Sequence, residues 1–271
     1  MRARPVLRGV QSFWSWATFA FLLLPILSVV YVSFSAVPYF AFPPHGFSLQ
    51  WYRALLQNQG LIDAFLRSIY ISVIVVIVGS LLSVPAALGL ARARGRWVES
   101  LVTFFLGPLL LPELVLGLGL LQLYSLLGWV DTLQGVVIAQ TVVVIPFMMR
   151  SLLVSTRALD PHLGEVSRLL GAGPLTTFLR VTLPLIRPGI LAASVFSFIV
   201  AFNQFTVTLF LVSFHEVTLP IAIFNFINNQ NNPTAAAISV VTVLFGVISM
   251  IGVYRLFDLT AAVGVGTDVS R

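Results

Sequence analysis

The stretch Asp160-Pro161-His162-Leu163-Gly164-Glu165-Val166-Ser167-Arg168-Leu169-Leu170-Gly171-Ala172-Gly173-Pro174 lies between two long apolar runs. It carries the marks of a short, closed helix. Asp160 is a good N-cap, and Pro161 suits the first helical position. Glu165 falls in the early part, where the helix dipole favours an anion. Gly171 ends the helix, because glycine accepts the left-handed conformation. A second short helix, Leu175 to Val181, follows before Leu183-Pro184-Leu185-Ile186-Arg187-Pro188. A capped helix held between two membrane spans suits docking to another protein. It equally suits an amphipathic connector, and the residues alone do not choose.

The chain around this stretch is apolar. Of 271 residues 58% are hydrophobic and 9% are charged, with a mean hydropathy of +1.01. Soluble domains carry about 25% charged residues, so this composition is that of an integral membrane protein. A span needs about 20 mainly apolar residues. Six candidates satisfy this: 13–37, 64–91, 101–127, 133–155, 188–213 and 235–257. Residues 1–271 form one transmembrane domain in this reading, and 160–186 is the loop between the fourth and fifth spans.

The arginines orient it. With the N-terminus in the cytoplasm, 13 of the 15 cations fall inside, and only Arg53 and Arg67 fall outside. Positive charge concentrates on the cytoplasmic side of membrane proteins. Six helices with both ends cytoplasmic follow. The first apolar run follows basic residues, as in a signal peptide, but it runs for about 25 residues, which favours an uncleaved first helix. Outside, Pro38 to Asp63 carries Trp51 and Tyr52, suited to the membrane interface. Gly128 to Thr132 is a tight turn, and Phe214 to Thr234 is a long polar loop.

Several chemistries are excluded. There is no cysteine, so no disulfide or thiolate site. There is no lysine, so no Walker A loop. The net charge of +6 is spread as topology and not as a nucleic-acid stripe. His45, His162 and His215 have no metal-ligand spacing. No nucleophile and base stand together, so no catalytic residue, metal or cofactor is expected in this chain.

The spacing Glu165, five residues, Gly171-Ala172, then Phe178 and Val181-Thr182-Leu183-Pro184 resembles the EAA loop of permease subunits of binding-protein-dependent ABC importers. Val166 and Ser167 stand where the family has two alanines. Residues 48–258 resemble the spermidine/putrescine branch, through Leu111-Pro112-Glu113-Leu114-Val115-Leu116-Gly117, Asn58 to Ser72 and Val142 to Arg150. The resemblance implies an all-α, six-span type I permease of a bacterial inner membrane, with a cytoplasmic coupling helix between spans four and five. That helix maps onto roughly Pro161 to Ala172. Pro161, Glu165, Leu170, Gly171 and Ala172 are then the residues coupled to an ATPase. The implied partners are two copies of a cytoplasmic ATPase that binds ATP and Mg, a second permease that is a different chain, and an extracytoplasmic solute-binding protein.

Two places suggest a solute pathway. Glu113 is the only acid deep in a predicted span, near the middle of the third. A charge at the bilayer centre costs about 2.5–3.5 kcal/mol on the lenient scale, so Glu113 faces protein or a water-filled cavity, or is protonated; it then lines the solute path or holds a structural hydrogen bond after Pro112. Asn203 and Gln204 lie about 16 residues into the fifth span, roughly 24 Å from its start, between Phe202 and Phe205. Relatives of the resembled branch carry acids there, which suit a polyamine. Amides weaken that match, and an amino acid, a phosphonate or chelated iron becomes the alternative solute. An ATPase-independent channel is the competing class.

Overall fold

The structure, a computed structural model, describes residues 5–39, 46–160, 162–229 and 232–257. Among these residues there are helices and turns but no strands, so the all-α fold class holds. In chain order the helices are α1 (Pro5–Ser33), α2 (Gln50–Gln57), α3 (Gln59–Arg92), α4 (Arg96–Leu106), α5 (Glu113–Leu127) and α6 (Leu133–Arg157). They continue with α7 (Leu163–Leu169), α8 (Pro174–Thr177), α9 (Leu183–Phe202), α10 (Thr206–Leu211), α11 (Leu219–Asn229) and α12 (Thr234–Phe257). Among the described residues five stretches are long and apolar enough to cross a membrane: Gln11–Ser33, Gln59–Arg92, Leu133–Arg157, Pro174–Phe202 and Thr234–Gly252. A sixth is reached only when two bent pieces are counted as one span.

That bent pair corrects the expected third span. Residues 101–127 are not one helix. A 3₁₀ turn, Gly107–Leu110, follows α4, and Arg96–Leu110 meets Glu113–Leu127 at 98°. Proline causes the break. Pro112 forces Leu111 out of the helical region, to φ −90° and ψ 135°. Pro108 starts the 3₁₀ turn, where its missing N–H costs least.

The fifth span differs at both ends. It was expected over 188–213, after a separate short helix at 175–181. Instead α8 runs through a π-helical stretch, Phe178–Thr182, straight into α9. The wide turn sits just ahead of Pro184, whose ring cannot donate to the preceding turn. At the far end α9 stops at Phe202, and the short α10 follows after Asn203, Gln204 and Phe205. The expected polar loop from 214 to 234 is largely helical, because α11 occupies Leu219–Asn229.

The chain divides into two compact units, 1–62 with 222–246 and 63–221 with 247–271. In the first, α2 fastens the end of α1. Trp51 Nε1 donates to the Ser35 carbonyl at 2.7 Å, and the Tyr52 and Ser33 hydroxyls lie 2.8 Å apart. Phe34 stacks on Phe47 at 4.8 Å. The expected interfacial pair Trp51 and Tyr52 thus spends its polar atoms on the chain itself.

In the second unit α6 is the central element. Two-thirds of its most apolar window is buried. Val136, Val144, Met148, Met149 and Leu152 form its core face with Ile71 and Val75 of α3 and Ala193 and Ala201 of α9. Gly189 lets α9 approach α6, since a Cβ there would run into the Ser155 side chain.

Candidate functional site

Two regions of the second unit hold the predicted functional residues. The first is α7 and its surroundings. Asp160 Oδ1 accepts the His162 N–H at 2.9 Å, but the helix begins later than expected, at Leu163: His162 holds the N-cap position with no side-chain cap bond, so Asp160 braces the turn ahead of the helix and does not cap it. Pro161 lies outside the described residues. At the other end the Ala172 N–H donates to Ser167 O at 3.0 Å, and the Gly171 N–H donates to Arg168 O at 2.9 Å. This pair of bonds is a Schellman closure, and it needs the left-handed φ of +83° that Gly171 adopts. Glu165 is exposed, with Oε2 3.4 Å from His162 Nδ1.

The helix presents apolar residues outward. Leu169 and Leu170 are 87% and 83% exposed, and Val166 is 52% exposed. Ala172 is half-buried. Ser167, one of the two residues replacing alanine, is buried and its hydroxyl lies 2.9 Å from that of Thr177. It ties α7 to the end of α8. Val166, the other, adds exposed apolar surface.

The second region is formed by the two helix breaks. Glu113 does not sit in the middle of a continuous helix. It is exposed in the first turn of α5, directly after the break at Pro112. A carboxylate there complements the unpaired N–H groups of the helix start. Asn203 and Gln204 also sit at a break. Asn203 is exposed, and its side-chain amide donates to Ile199 O at 2.9 Å, occupying a terminal carbonyl of α9. Gln204 is buried, and its Oε1 accepts the Val207 N–H at 3.4 Å at the start of α10. Phe202 is buried between Phe65, at 5.8 Å, and Phe198, at 5.9 Å. Phe205 is half-buried. Of the five residues expected along a pathway, Glu113 and Asn203 therefore offer an accessible polar group, whereas Phe202 and Gln204 are enclosed. Packing of α10 on α5 links the two breaks. Gly117 of α5 sits so close to α10 that a Cβ would meet the Phe210 ring at 2.7 Å.

A third cluster escaped the sequence reading. Asp131, in the turn between α5 and α6, has φ +56°. Its Oδ1 accepts the N–H of Ser213 at 3.0 Å, and its Oδ2 accepts that of Phe214 at 3.1 Å. His215 adds its backbone N–H and, at 2.9 Å, its Nδ1. Partial burial works to raise the Asp131 pKa, but the Ser213 amide, the His215 ring and the amides of Phe214 and His215 outweigh it. The carboxyl is held well below the ordinary carboxylate range. Arg67 Nε pairs with Glu216 at 3.6 Å beside it. The signal was slight: one acid in a turn between two apolar runs, whose partners lie more than 80 residues away.

Among the described residues no group of His, Asp and Glu could hold a metal ion. A family model described as "Binding-protein-dependent transport system inner membrane component" matches residues 79–260. The chain belongs to this family. Its relatives are permease subunits, membrane components of ABC transporters. The molybdenum transport system permease protein of Mycobacterium tuberculosis is 34% identical over 229 residues, 79% of this chain and 84% of that protein. The spermidine/putrescine transport system permease protein of Escherichia coli is 24% identical over 235 residues, 87% of this chain and 89% of that one. Among solved structures, a bacterial ABC transporter involved in the import of the acidic polysaccharide alginate covers 95% of this chain at a TM-score of 0.70 and 18% identity. The MetNI methionine ABC transporter covers 74% at a TM-score of 0.62 and 19% identity. These likenesses support the type I permease fold. The family and the apolar helices make the chain a multi-pass inner-membrane protein.

Proposed function

We propose that this permease forms one half of a solute pathway, and that α7 docks on a separate cytoplasmic ATPase. The observation that carries the reading is the outer face of α7. A helix closed at its C-terminal end by Gly171 exposes Leu169 and Leu170 almost completely. Exposed leucines next to a membrane span are costly unless a partner covers them. In this reading ATP binding draws two such ATPases together. The rigid, capped helix passes that movement to the spans on either side of it. A second permease, a different chain, supplies the other half, and a solute-binding protein delivers from outside. Both termini lie in the cytoplasm, as the arginine distribution favours.

For the solute, we infer a small anion or a neutral molecule in preference to a polyamine. Asn203 places an accessible amide where a polycation would call for a carboxylate, and an amide hydrogen-bonds oxyanions and neutral polar groups equally well. The higher identity to a molybdenum permease than to a spermidine/putrescine permease points the same way. The polyamine reading keeps one observation of its own, the accessible Glu113 carboxylate at the first break. Uptake of radiolabelled molybdate, spermidine and putrescine, compared between cells with and without an in-frame deletion of this chain, decides between them. Loss of spermidine or putrescine uptake alone overturns the anion reading.

A further inference from the structure

A cavity of about 410 Å³ opens at the end of the second unit that carries α7. The last turns of α3 and α6, the start of α7 and the π stretch form its wall. Four arginines line it: Arg92, Arg94, Arg157 and Arg168. Two carboxylates, Asp160 and Glu165, face them. Both acids are already engaged by His162, Asp160 through the backbone N–H and Glu165 at the ring. Among the described residues none of the four guanidinium groups makes an ion pair or hydrogen bond. The cavity therefore presents four free guanidinium groups against two occupied acids.

Its charge and its place in the chain point to the occupant. Arg92 is the last residue of the apolar helix Gln59–Arg92, and Arg157 is the last of Leu133–Arg157. The cavity thus lies at the ends of two apolar helices, on the side to which the arginine distribution assigns the cytoplasm. Guanidinium forks match phosphate oxygens in geometry as well as charge. Basic pockets between the cytoplasmic ends of membrane helices recognise anionic headgroups. Apolar side chains of Leu88, Leu163 and Leu185 share the wall and suit the glycerol end of an acyl chain.

We propose that this cavity is a binding site for the phosphate of an anionic lipid headgroup. A lipid seated there touches α3, α6 and α7 together. It would brace the coupling helix against the spans, so that coupling depends on the composition of the membrane. Lipid binding holds for any transported solute and without an ATPase, whereas its effect on coupling rests on the proposed role of α7.

The test is native mass spectrometry of the full chain in detergent. It is loaded with dioleoylphosphatidylglycerol or with the zwitterionic dioleoylphosphatidylcholine, with and without millimolar inorganic phosphate. Wild type should retain phosphatidylglycerol preferentially and keep it in the presence of phosphate. The double variant R94Q/R168Q should lose roughly tenfold to thirtyfold in retention, two surface charges' worth. R94K/R168K should keep most of it, which separates loss of charge from loss of fold. The control R96Q/R255Q removes the same charge away from the cavity and should change retention less than about twofold. Equal retention of both lipids, equal losses in test and control variants, or displacement by inorganic phosphate overturns the proposal. So does unchanged retention in R94Q/R168Q accompanied by loss of a co-purifying protein, which would assign the arginines to a protein partner.

Discussion

Asp131 and His215, 84 residues apart in sequence, meet with Asp131 Oδ2 2.9 Å from His215 Nδ1, and the same carboxylate gathers the backbone N–H groups that follow α10. The turn between α5 and α6 is thereby fastened to the segment after the second break. Replacing Asp131 by Ala leaves these donors to water, and hydrogen bonds to a charged acceptor contribute about 1.5–3 kcal/mol each before water replaces part of them. A lower midpoint of thermal unfolding in detergent is expected, with D131N between D131A and wild type. The sign with pH follows from the lowered carboxyl pKa. The stabilisation is complete above the ordinary carboxylate range and fades only as the pH falls below it. An unchanged midpoint in D131A would show that the cluster does not hold the segment.

That cluster also marks what the sequence could and could not tell. The C-terminal end of α7 was legible, because Gly171 closes it through a neighbour three residues away, whereas its start falls at Leu163 and not directly after Asp160. The break at Pro112 was available in principle: proline constrains the residue before it whatever the tertiary setting. The break after Phe202 was not, because Asn203 and Gln204 sit in an unbroken apolar pattern with no Pro or Gly near them. Side-chain amides there compete with the backbone ladder only once packing has placed α10. The partners of Asp131 and the pairing of Arg67 with Glu216 depend on the assembled fold, so no local pattern announces them.

Gly171 and Gly164 make a controlled pair in α7. A Cβ meets nothing within 4 Å at either position, but only Gly171 has a left-handed φ. G171A should cost about 1 kcal/mol in the closure of α7, and G164A should be neutral or slightly stabilising. In membrane vesicles G171A is expected to insert normally and to lose ATP-driven uptake, while G164A retains it. Equal uptake in both variants would detach the closure of α7 from transport.

Gly189 and Ser155 define the closest approach of α9 to α6. G189A should destabilise by about 1–3 kcal/mol through overpacking. Adding S155G should recover much of this, because the obstructing side chain is gone. A double-mutant cycle on unfolding in detergent measures the coupling. Purely additive effects would contradict the close contact.

Gln140 Nε2 donates to Thr208 Oγ1 at 3.1 Å between α6 and α10, and both side chains are buried. T208V strands the amide and should cost about 1–3 kcal/mol, whereas Q140L/T208V removes both partners and should cost less than the single change. A double variant less stable than T208V would show that the bond is not the tie between these helices.

The central claim is that the exposed face of α7 meets the ATPase. The chain has no cysteine, so a single one can be placed at will. Leu169→Cys on α7 and Leu126→Cys on α5 start from almost equally exposed residues, 87% and 83%. In native membranes treated with a cysteine-to-amine crosslinker, Leu169→Cys should give an adduct that contains a nucleotide-binding ATPase, and Leu126→Cys should give none. No ATPase adduct from Leu169→Cys, or the same adduct from both positions, would contradict the account.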